Sequence, residues 1–328
     1  MDKQFILDKI MEYKKIIIHM HMRPDGDCYG AGIGLKEILK ESFPDKEVYL
    51  VGETAEYVKF LGDVDQIEDS VYDGALSIVV DTATKDRVAD QRYGKGAYVI
   101  KIDHHLPVDD YGDYQYVDTT RPATSQIILE FFLEFSNVLK LNMKAARALY
   151  TGIVTDTGRF KYRSVTSDTF KAVAHLLDYG LDFNDVLTIL DVKSENQMKI
   201  QGYVLQNFAK TEHGVAYIKI TPEIINKFSV TLEEATSLVN ELSSLEDCPV
   251  WILFAEYDNN IVRARLRSKG PAIDKLANKY EGGGHPMACG ANLGTWEKVD
   301  EMLKDADILV KDYKESLASN NESPVKNL

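Results

Sequence analysis

Three consecutive side chains able to bind metal or move protons, Asp103-His104-His105, close the apolar run AYVIKID. Such a run reads as a buried strand, and in an open α/β sheet ligands bind at the C-terminal ends of the strands. Three further groups of the same chemistry stand at strand or helix ends on either side of it: His21-Met22-Arg23-Pro24-Asp25-Gly26-Asp27, Asp81 and Asp156. His21, Asp25 and Asp27 lie at i, i+4 and i+6, and Pro24 and Gly26 bend the chain so that one loop can turn all three inward. Each group also has a structural reading. Asp25 and Asp27 suit the capping of a following helix, and Asp81, with Thr82 behind it, suits a turn. Asp156, in the small and apolar setting TGIVTDTGRF, is costly unless paired, and Arg159 could balance it. His19 competes with His21 as a ligand, because one strand alternation separates them and spacing alone does not choose.

Taken together, five or six carboxylate and imidazole donors at successive strand and helix ends suit a dinuclear site for divalent ions. Carboxylate dominance favours Mn²⁺ or Mg²⁺ over a Cys-rich zinc site. Two ions bridged by one carboxylate, about 3.5–4 Å apart, can generate hydroxide and stabilise an in-line displacement at phosphorus. Asp103 is then expected to orient His104 from behind, with His105 left to contact a phosphoryl or leaving oxygen.

A second set of residues offers anion binding. Arg265, Arg267 and Lys269 alternate on one strand and so share a face, with Ser268 pointing the other way unless the strand has ended. The run Gly282-Gly283-Gly284-His285 presents backbone N–H groups without side chains, a usable anion nest. The alternative readings are a solvated strand face and a flexible connector. Gly30, Gly32 and Gly34 do not match the dinucleotide-binding spacing and read as close packing of helix on sheet.

The elements that must position these groups follow from periodicity. A short amphipathic helix over Phe5–Tyr13 leads into the strand KKIIIHM, and a helix through Ile33, Leu35, Ile38 and Leu39 follows the His21 loop. EVYLVG, GALSIVVD and AYVIKID read as strands, with a helix at Glu56–Leu61, and YQYVDT reads as an edge strand. Apolar strands alternating with helices predict a parallel sheet with helices on both faces. ATSQIILEFFLEF, NMKAARALYTGIVTDTG and SDTFKAVAHLLDYG are three helical segments. The chain then restarts as a smaller α+β domain. VAYIKIT, VWILFAEYD and NIVRARLRS are its strands, with a hairpin turn at Asp258-Asn259-Asn260. TPEIINKF, TLEEATSLVNEL, PAIDKLANKY and a final segment from Trp296 to Glu315 are its helices, and GGGHPMACG is a loop. The expected division is a metal-binding catalytic domain at 1–185, a helical linker at 186–210, a substrate-binding domain at 211–318 and a disordered tail at 319–328.

Length and composition narrow the partners. A chain of 328 residues, 45% hydrophobic and 27% charged, can hold two cored domains. Its net charge of −14 argues against a broad basic surface for long nucleic acid but not against a small anion held by metals and a few cations. Cys28, Cys248 and Cys289 form no CxxC pair, which points to a reducing compartment. The acids in MDKQFILDKIMEYKK interrupt any signal pattern, and no apolar run approaches a membrane span. The expectation is a cytoplasmic protein that does not touch membranes.

The ordered set HMRPDGDCYG, IVVDTAT, KIDHH, TGIVTDTGRF, RARLRSKG and GGGHPMACGA resembles the DHH phosphoesterase superfamily. It is most similar to the nanoRNase/pAp phosphatase group, whose DHH domain is followed by a DHH-associated C-terminal domain. The resemblance spans about residues 15 to 295. It implies His21 rather than His19 as ligand, a metal set of His21, Asp25, Asp27, Asp81, His104 and Asp156, and Asp81 as the bridge. It implies a phosphate contact for His105, with Asp103 beside it, and substrate-phosphate roles for Arg267, Ser268, Gly283, Gly284 and His285, with Arg159 a further substrate contact. Cys28-Tyr29-Gly30-Ala31 departs from the pattern, since many relatives have Ala and then Gly-Ser there.

The implied activity is Mn²⁺-dependent hydrolysis of short linear nucleotides, with Mg²⁺ or Co²⁺ as substitutes. Substrates would be pApA, other di- to oligoribonucleotides, and 3′-phosphoadenosine 5′-phosphate. Binding of one phosphate by the second domain would act as a ruler selecting short substrates. A homodimer is a further implication. Three other readings compete. A pyrophosphatase or exopolyphosphatase shares the metal half of the motifs, and a non-catalytic sensor would require a lost ligand. A long-strand exonuclease lacks support from the acidic charge.

Overall fold

The computed structural model describes residues 2–257 and 260–321, and the chain divides into two units, 1–192 and 193–328. The first carries a five-stranded sheet in the order β2-β1-β3-β4-β5. Its strands are β1 (Lys15–His19), β2 (Glu47–Val51), β3 (Leu76–Val80), β4 (Tyr98–Asp103) and β5 (Tyr114–Val117). Every neighbouring pair is parallel. The continuous apolar sequences of β1, β3 and β4 reflect burial on both faces, and YQYV, paired only with β4, is the expected edge.

Alternation divides each strand between two layers. Ile16 and Ile18 of β1, Ile78 and Val80 of β3, and Ile100 and Ile102 of β4 join one core with α1 (Lys3–Glu12), α2 (Gly26–Ser42), α3 (Thr124–Glu134) and α4 (Met143–Asp156). The same core takes in α5 (Ser167–Asp178) and Val186 of α6 (Phe183–Asp191). The opposite face is covered by short 3₁₀ turns. Ile17 meets Tyr72 and Ala75 beside the turn Asp69–Tyr72, while Val79 and Val99 meet Val88, Tyr111 and Tyr93. Glu56–Leu61, expected as a helix, is also a 3₁₀ turn, but its Val58 and Leu61 join the first core.

The glycines of α2 do not all serve the sheet. Only Gly32 faces it, where a Cβ would stand 2.8 Å from Leu50 Cδ1. Gly30 and Gly34 face α4, and a Cβ on Gly30 would lie 2.5 Å from the Ala148 carbonyl oxygen. The reading of these glycines as helix-on-sheet packing is therefore corrected for two of the three: Gly30 lets the α4 backbone approach, and Gly34 makes room for the Leu149 side chain.

The second unit holds α7 (Glu195–Asn207), β6 (Ala209–Lys210), β7 (Val215–Ile220), α8 (Pro222–Phe228) and α9 (Leu232–Ser237). It continues with β8 (Val250–Tyr257), β9 (Ile261–Ser268), α10 (Asp274–Lys279), β10 (Gly283–His285), β11 (Ala288–Gly294) and α11 (Glu297–Asn321). The six strands run in the order β10-β11-β9-β8-β7-β6, parallel only between β7 and β8. Val250, Ile252 and Phe254 point to a core with α10 and α11, and Trp251, Leu253 and Ala255 to one with α7 and α9.

Several expectations are corrected here. Residues 186–210, expected as a helical linker, hold the end of α6 and all of α7, and the units divide between 192 and 193; Val186 is buried in the first unit's core and Ile200 and Val204 in the second's. The GGGH loop is a β-hairpin, with Gly283, Gly284 and His285 opposite Gly290, Cys289 and Ala288. Lys269 lies beyond β9 and donates to the Ser243 and Leu245 carbonyls. The last helix runs past Glu315 to Asn321, so the first residues of the expected tail are helical, and the remainder lies outside the described residues. Asp258 and Asn259 of the expected turn also lie outside them, although the β8–β9 pairing that they join is antiparallel as expected. Among the described residues no helix is long and apolar enough to cross a membrane.

Candidate metal centre

The C-terminal ends of β1, β3 and β4 sit side by side in the sheet, and this brings the acid and imidazole groups together. His21 follows β1, with its backbone N–H donating to Cys28 Sγ at 3.3 Å and its Nδ1 3.0 Å from the Met22 carbonyl oxygen. Its Nε2 is left facing Asp25 Oδ1 at 3.8 Å and Asp81 Oδ2 at 3.6 Å. Asp25 is also the N-cap of α2, accepting from the Asp27 and Cys28 amides. The capping reading and the ligand reading thus hold for the same residue. The loop closes through left-handed backbone at Arg23 (φ 54°), and Asp81 sits at φ 52° in the turn after β3. Asp tolerates that conformation better than most side chains.

Around the second imidazole, His104 Nε2 lies 4.0 Å from Asp27 Oδ2, 3.5 Å from Asp81 Oδ1 and 3.4 Å from Asp156 Oδ2. Asp81 therefore turns one oxygen to each cluster. Asp27 is held from behind by α3, whose first amides, Thr124 N and Ser125 N, donate to its two oxygens at 2.6 and 2.9 Å. The Thr124 hydroxyl donates to Asp81 Oδ1 at 2.9 Å. A helix N-terminus favours an anion there. The motif readings missed both residues, and the available signal was Thr-Ser opening a predicted helix.

Electrostatics mark the cluster as short of positive charge. Burial, and then the Asp81 carboxylate, push Asp27 up to about 7. Burial and the nearby Asp27 carboxylate raise Asp156 as well. Burial works against charging His104, but Asp81, Asp27 and Asp156 outweigh it and bring the imidazole up to about 9. Separations of 3.4–4.0 Å between donors are too long for hydrogen bonds. They fall between the edge and the diameter of a coordination shell about 2.0–2.2 Å in radius. The donor chemistry thus fits divalent cations, and the groups close enough to share one are His21 with Cys28 and Asp81, Asp81 with His104 and His105, and Asp27 with His104 and Asp156. Cys28 Sγ lies within ligating distance of His21 and Asp81, and burial pushes its thiol up to about 12 in the metal-free protein.

Two expectations change, and the choice between His19 and His21 finds a structural counterpart. Asp103 does not orient His104: its Oδ1 takes the His105 Nδ1 at 2.8 Å, together with the His104 and His105 amides. His104 Nδ1 instead lies 3.3 Å from the Arg121 carbonyl oxygen. Arg159 does not balance Asp156 but pairs with Asp191 at 2.5 Å. His19 is fully buried beside Tyr72 and Tyr93, away from both clusters.

In the second unit the register places His285, Ala288 and Arg267 in one row across β10, β11 and β9. Gly284 follows Gly283 there with φ 139°. Arg267 Nη1 donates to the Leu266 carbonyl at 2.9 Å. Ser268 turns its hydroxyl away, donating to the Pro271 carbonyl at 2.6 Å. Arg267, Gly283, Gly284 and His285 form a compact group, and the Ser268 side chain is engaged in the turn behind it.

Family comparison agrees with this division. Residues 15–153 match the DHH family, N-terminal domain, and residues 213–312 match the DHHA1 domain. The chain is 41% identical over 312 residues to the bifunctional oligoribonuclease and PAP phosphatase NrnA of Bacillus subtilis, covering 95% of this chain and 99% of that protein. It is 41% identical over 306 residues to the probable enzyme of the same name in Streptococcus mutans, covering 93% and 98%. Among solved structures, an exopolyphosphatase-related protein from Bacteroides fragilis superposes with a TM-score of 0.84 at 25% identity, covering 94% of this chain and 97% of that one.

Proposed function

Since the chain belongs to the DHH family, in the group of the oligoribonuclease and PAP phosphatases, we propose that it is a metal-dependent phosphoesterase acting on short linear nucleotides. Its substrates are pApA and other di- to oligoribonucleotides, cut to mononucleotides, and 3′-phosphoadenosine 5′-phosphate, cut to AMP. The observation that carries this reading is the pair of donor clusters sharing Asp81.

His21, Asp25 and Asp81 would hold one Mn²⁺ ion, and Asp27, Asp81, His104 and Asp156 a second. The chemistry supplied by divalent cations bound there is acidification of a water and neutralisation of charge on a phosphoryl oxygen. His105, with Nδ1 2.8 Å from Asp103 Oδ1, would contact the phosphoryl group. Thr124 and Ser125 hold Asp27 in place. Arg267, Gly283, Gly284 and His285 bind a terminal phosphate, with Ser268 in the turn beside them, and Arg159, whose exposed pair with Asp191 is weak, stays a further substrate contact in this proposal. All three cysteines are free, which fits a cytoplasmic protein, and a homodimer is the assembly we assign.

The test is turnover by the metal-stripped protein after Mn²⁺ is restored, compared across pApA, 3′-phosphoadenosine 5′-phosphate, two- to five-nucleotide RNAs, pyrophosphate and polyphosphate. Preference for the nucleotides is expected. Faster hydrolysis of polyphosphate would replace this reading with the one that the Bacteroides fragilis neighbour's description suggests.

The anchor group makes its own prediction. Removing a charge-assisted contact costs about 1.5–3 kcal/mol, so Arg267→Ala and His285→Ala should each raise KM by about 10-fold or more with kcat nearly unchanged. Loss of kcat at constant KM would rule out the anchor role.

A further inference from the structure

Lys101 is the one charged side chain within the buried strands β3 and β4 apart from Asp103 itself, and it is fully buried. Strand alternation places it with Val99 and Asp103, on the face packed under Tyr111 and Val79. A Met or Leu would fill that apolar space without taking an ammonium out of water. Its Nζ donates to the Ala83 carbonyl at 2.9 Å, lies 3.3 Å from Asp103 Oδ2 and sits 4.6 Å from the Tyr111 ring centroid. Asp103 Oδ2 accepts no hydrogen bond among the described residues, because the ammonium approaches it at an ion-pair distance without hydrogen-bond alignment.

The two ends of this contact belong to different turns. Ala83 lies in the turn after β3 that carries Asp81, and Tyr111 ties the same turn by donating to the Thr82 carbonyl at 2.5 Å. Asp103 heads the turn after β4, where its other oxygen takes His105 Nδ1 at 2.8 Å. Lys101 thus stands behind the chain of contacts Lys101–Asp103–His105 and also behind the turn that presents Asp81.

We propose that Lys101 is a positioning residue for the hydrolytic reaction, holding Asp103 so that His105 keeps Nδ1 on the carboxylate and Nε2 toward the phosphoryl group. Lys101 touches no substrate and acts through Asp103. The inference rests on the phosphoester reading of the site, and its test separates the two. Lys101→Met removes the charge and the donor, and Lys101→Gln keeps a donor within reach of Ala83. Both are measured on the full chain with Mn²⁺, alongside His105→Ala and the double variant Lys101→Met/His105→Ala.

Lys101→Met leaves the buried Asp103 carboxylate and the Ala83 carbonyl without their partner, so it is expected to unfold below the wild-type temperature, and to lose about 10–100-fold in kcat, with KM and the Mn²⁺ concentration for half-maximal rate unchanged. In the double variant Lys101→Met should add nothing to the loss caused by His105→Ala. Should Lys101→Met fail to fold, Lys101→Gln carries the same expectation. Wild-type kcat in a folded Lys101 variant, or a full additional loss on the His105→Ala background, would overturn the positioning role while wild-type hydrolysis left the phosphoester reading intact. A wild-type protein without phosphoester hydrolysis would overturn both.

Discussion

Asp81→Asn is expected to lower kcat by about 10³-fold or more, beyond the roughly 10–100-fold typical of groups that only support a ligand. The size follows from its place. Asp81 turns Oδ2 to His21 and Oδ1 to His104, so it is the residue that the two donor sets share. Asn is the informative replacement. Position 81 has φ 52°, a conformation that Asn also tolerates. The Asn side chain can still accept from the Thr124 hydroxyl, which removes charge without removing shape. In the absence of metal the variant should therefore unfold close to the wild-type temperature. Metal at 100 times its Kd stabilises a folded protein by about 2.7 kcal/mol, and most of that gain should vanish in the variant. Turnover assays and thermal unfolding with and without Mn²⁺ supply the check. An Asn variant that keeps its turnover, or its full Mn²⁺-dependent shift, would remove Asp81 from the centre of the site.

What could be read from the sequence, and what could not, divides by the range of the interaction. The strands were legible because β1, β3 and β4 are short apolar runs, and buried parallel strands look like that from their own residues alone. The acids and imidazoles of the proposed metal set were legible because they stand at element ends, Asp81 and His104 just after β3 and β4, Asp25 and Asp27 at the start of α2 and Asp156 at the end of α4. Choosing His21 over His19 required the family pattern. In the fold, β1 has ended at His19, and His21 is carried beyond it to face Asp81. Partners that arrive from distant sequence were not legible. The amides that hold Asp27 come from Thr124 and Ser125, and the acid that engages Arg159 is Asp191, in a helix of its own. The link from Asp103 to His105 rather than His104 was hidden for another reason. Three adjacent side chains leave the choice to the backbone turn, and no periodicity reports a turn.

The glycines of the helical layer show how far the site depends on that unseen packing, and they yield the second large prediction. Gly152 of α4 lies where three helices meet. A Cβ there would stand 2.7 Å from Ser125 Cβ and 2.8 Å from Asp27 Oδ1, and 1.9 Å from Ser125 Oγ. The hydroxyl can rotate, but Ser125 Cβ is fixed to the backbone at the start of α3. Relief therefore requires α3 or α4 to move. Such overpacking costs about 1–3 kcal/mol. The same displacement draws the Ser125 amide from Asp27, so Gly152→Ala should also reduce kcat, unlike an ordinary destabilising substitution elsewhere in the core. Gly202, inside α7, supplies the contrast, because nothing lies within 4 Å of a Cβ there. Gly202→Ala should gain about 0.5–1 kcal/mol from helix propensity and leave turnover alone. Denaturant unfolding and kinetics of the two variants decide the matter. A Gly152→Ala protein as stable and as active as wild type would mean that contact between α3 and α4 is not what holds Asp27 beside His104.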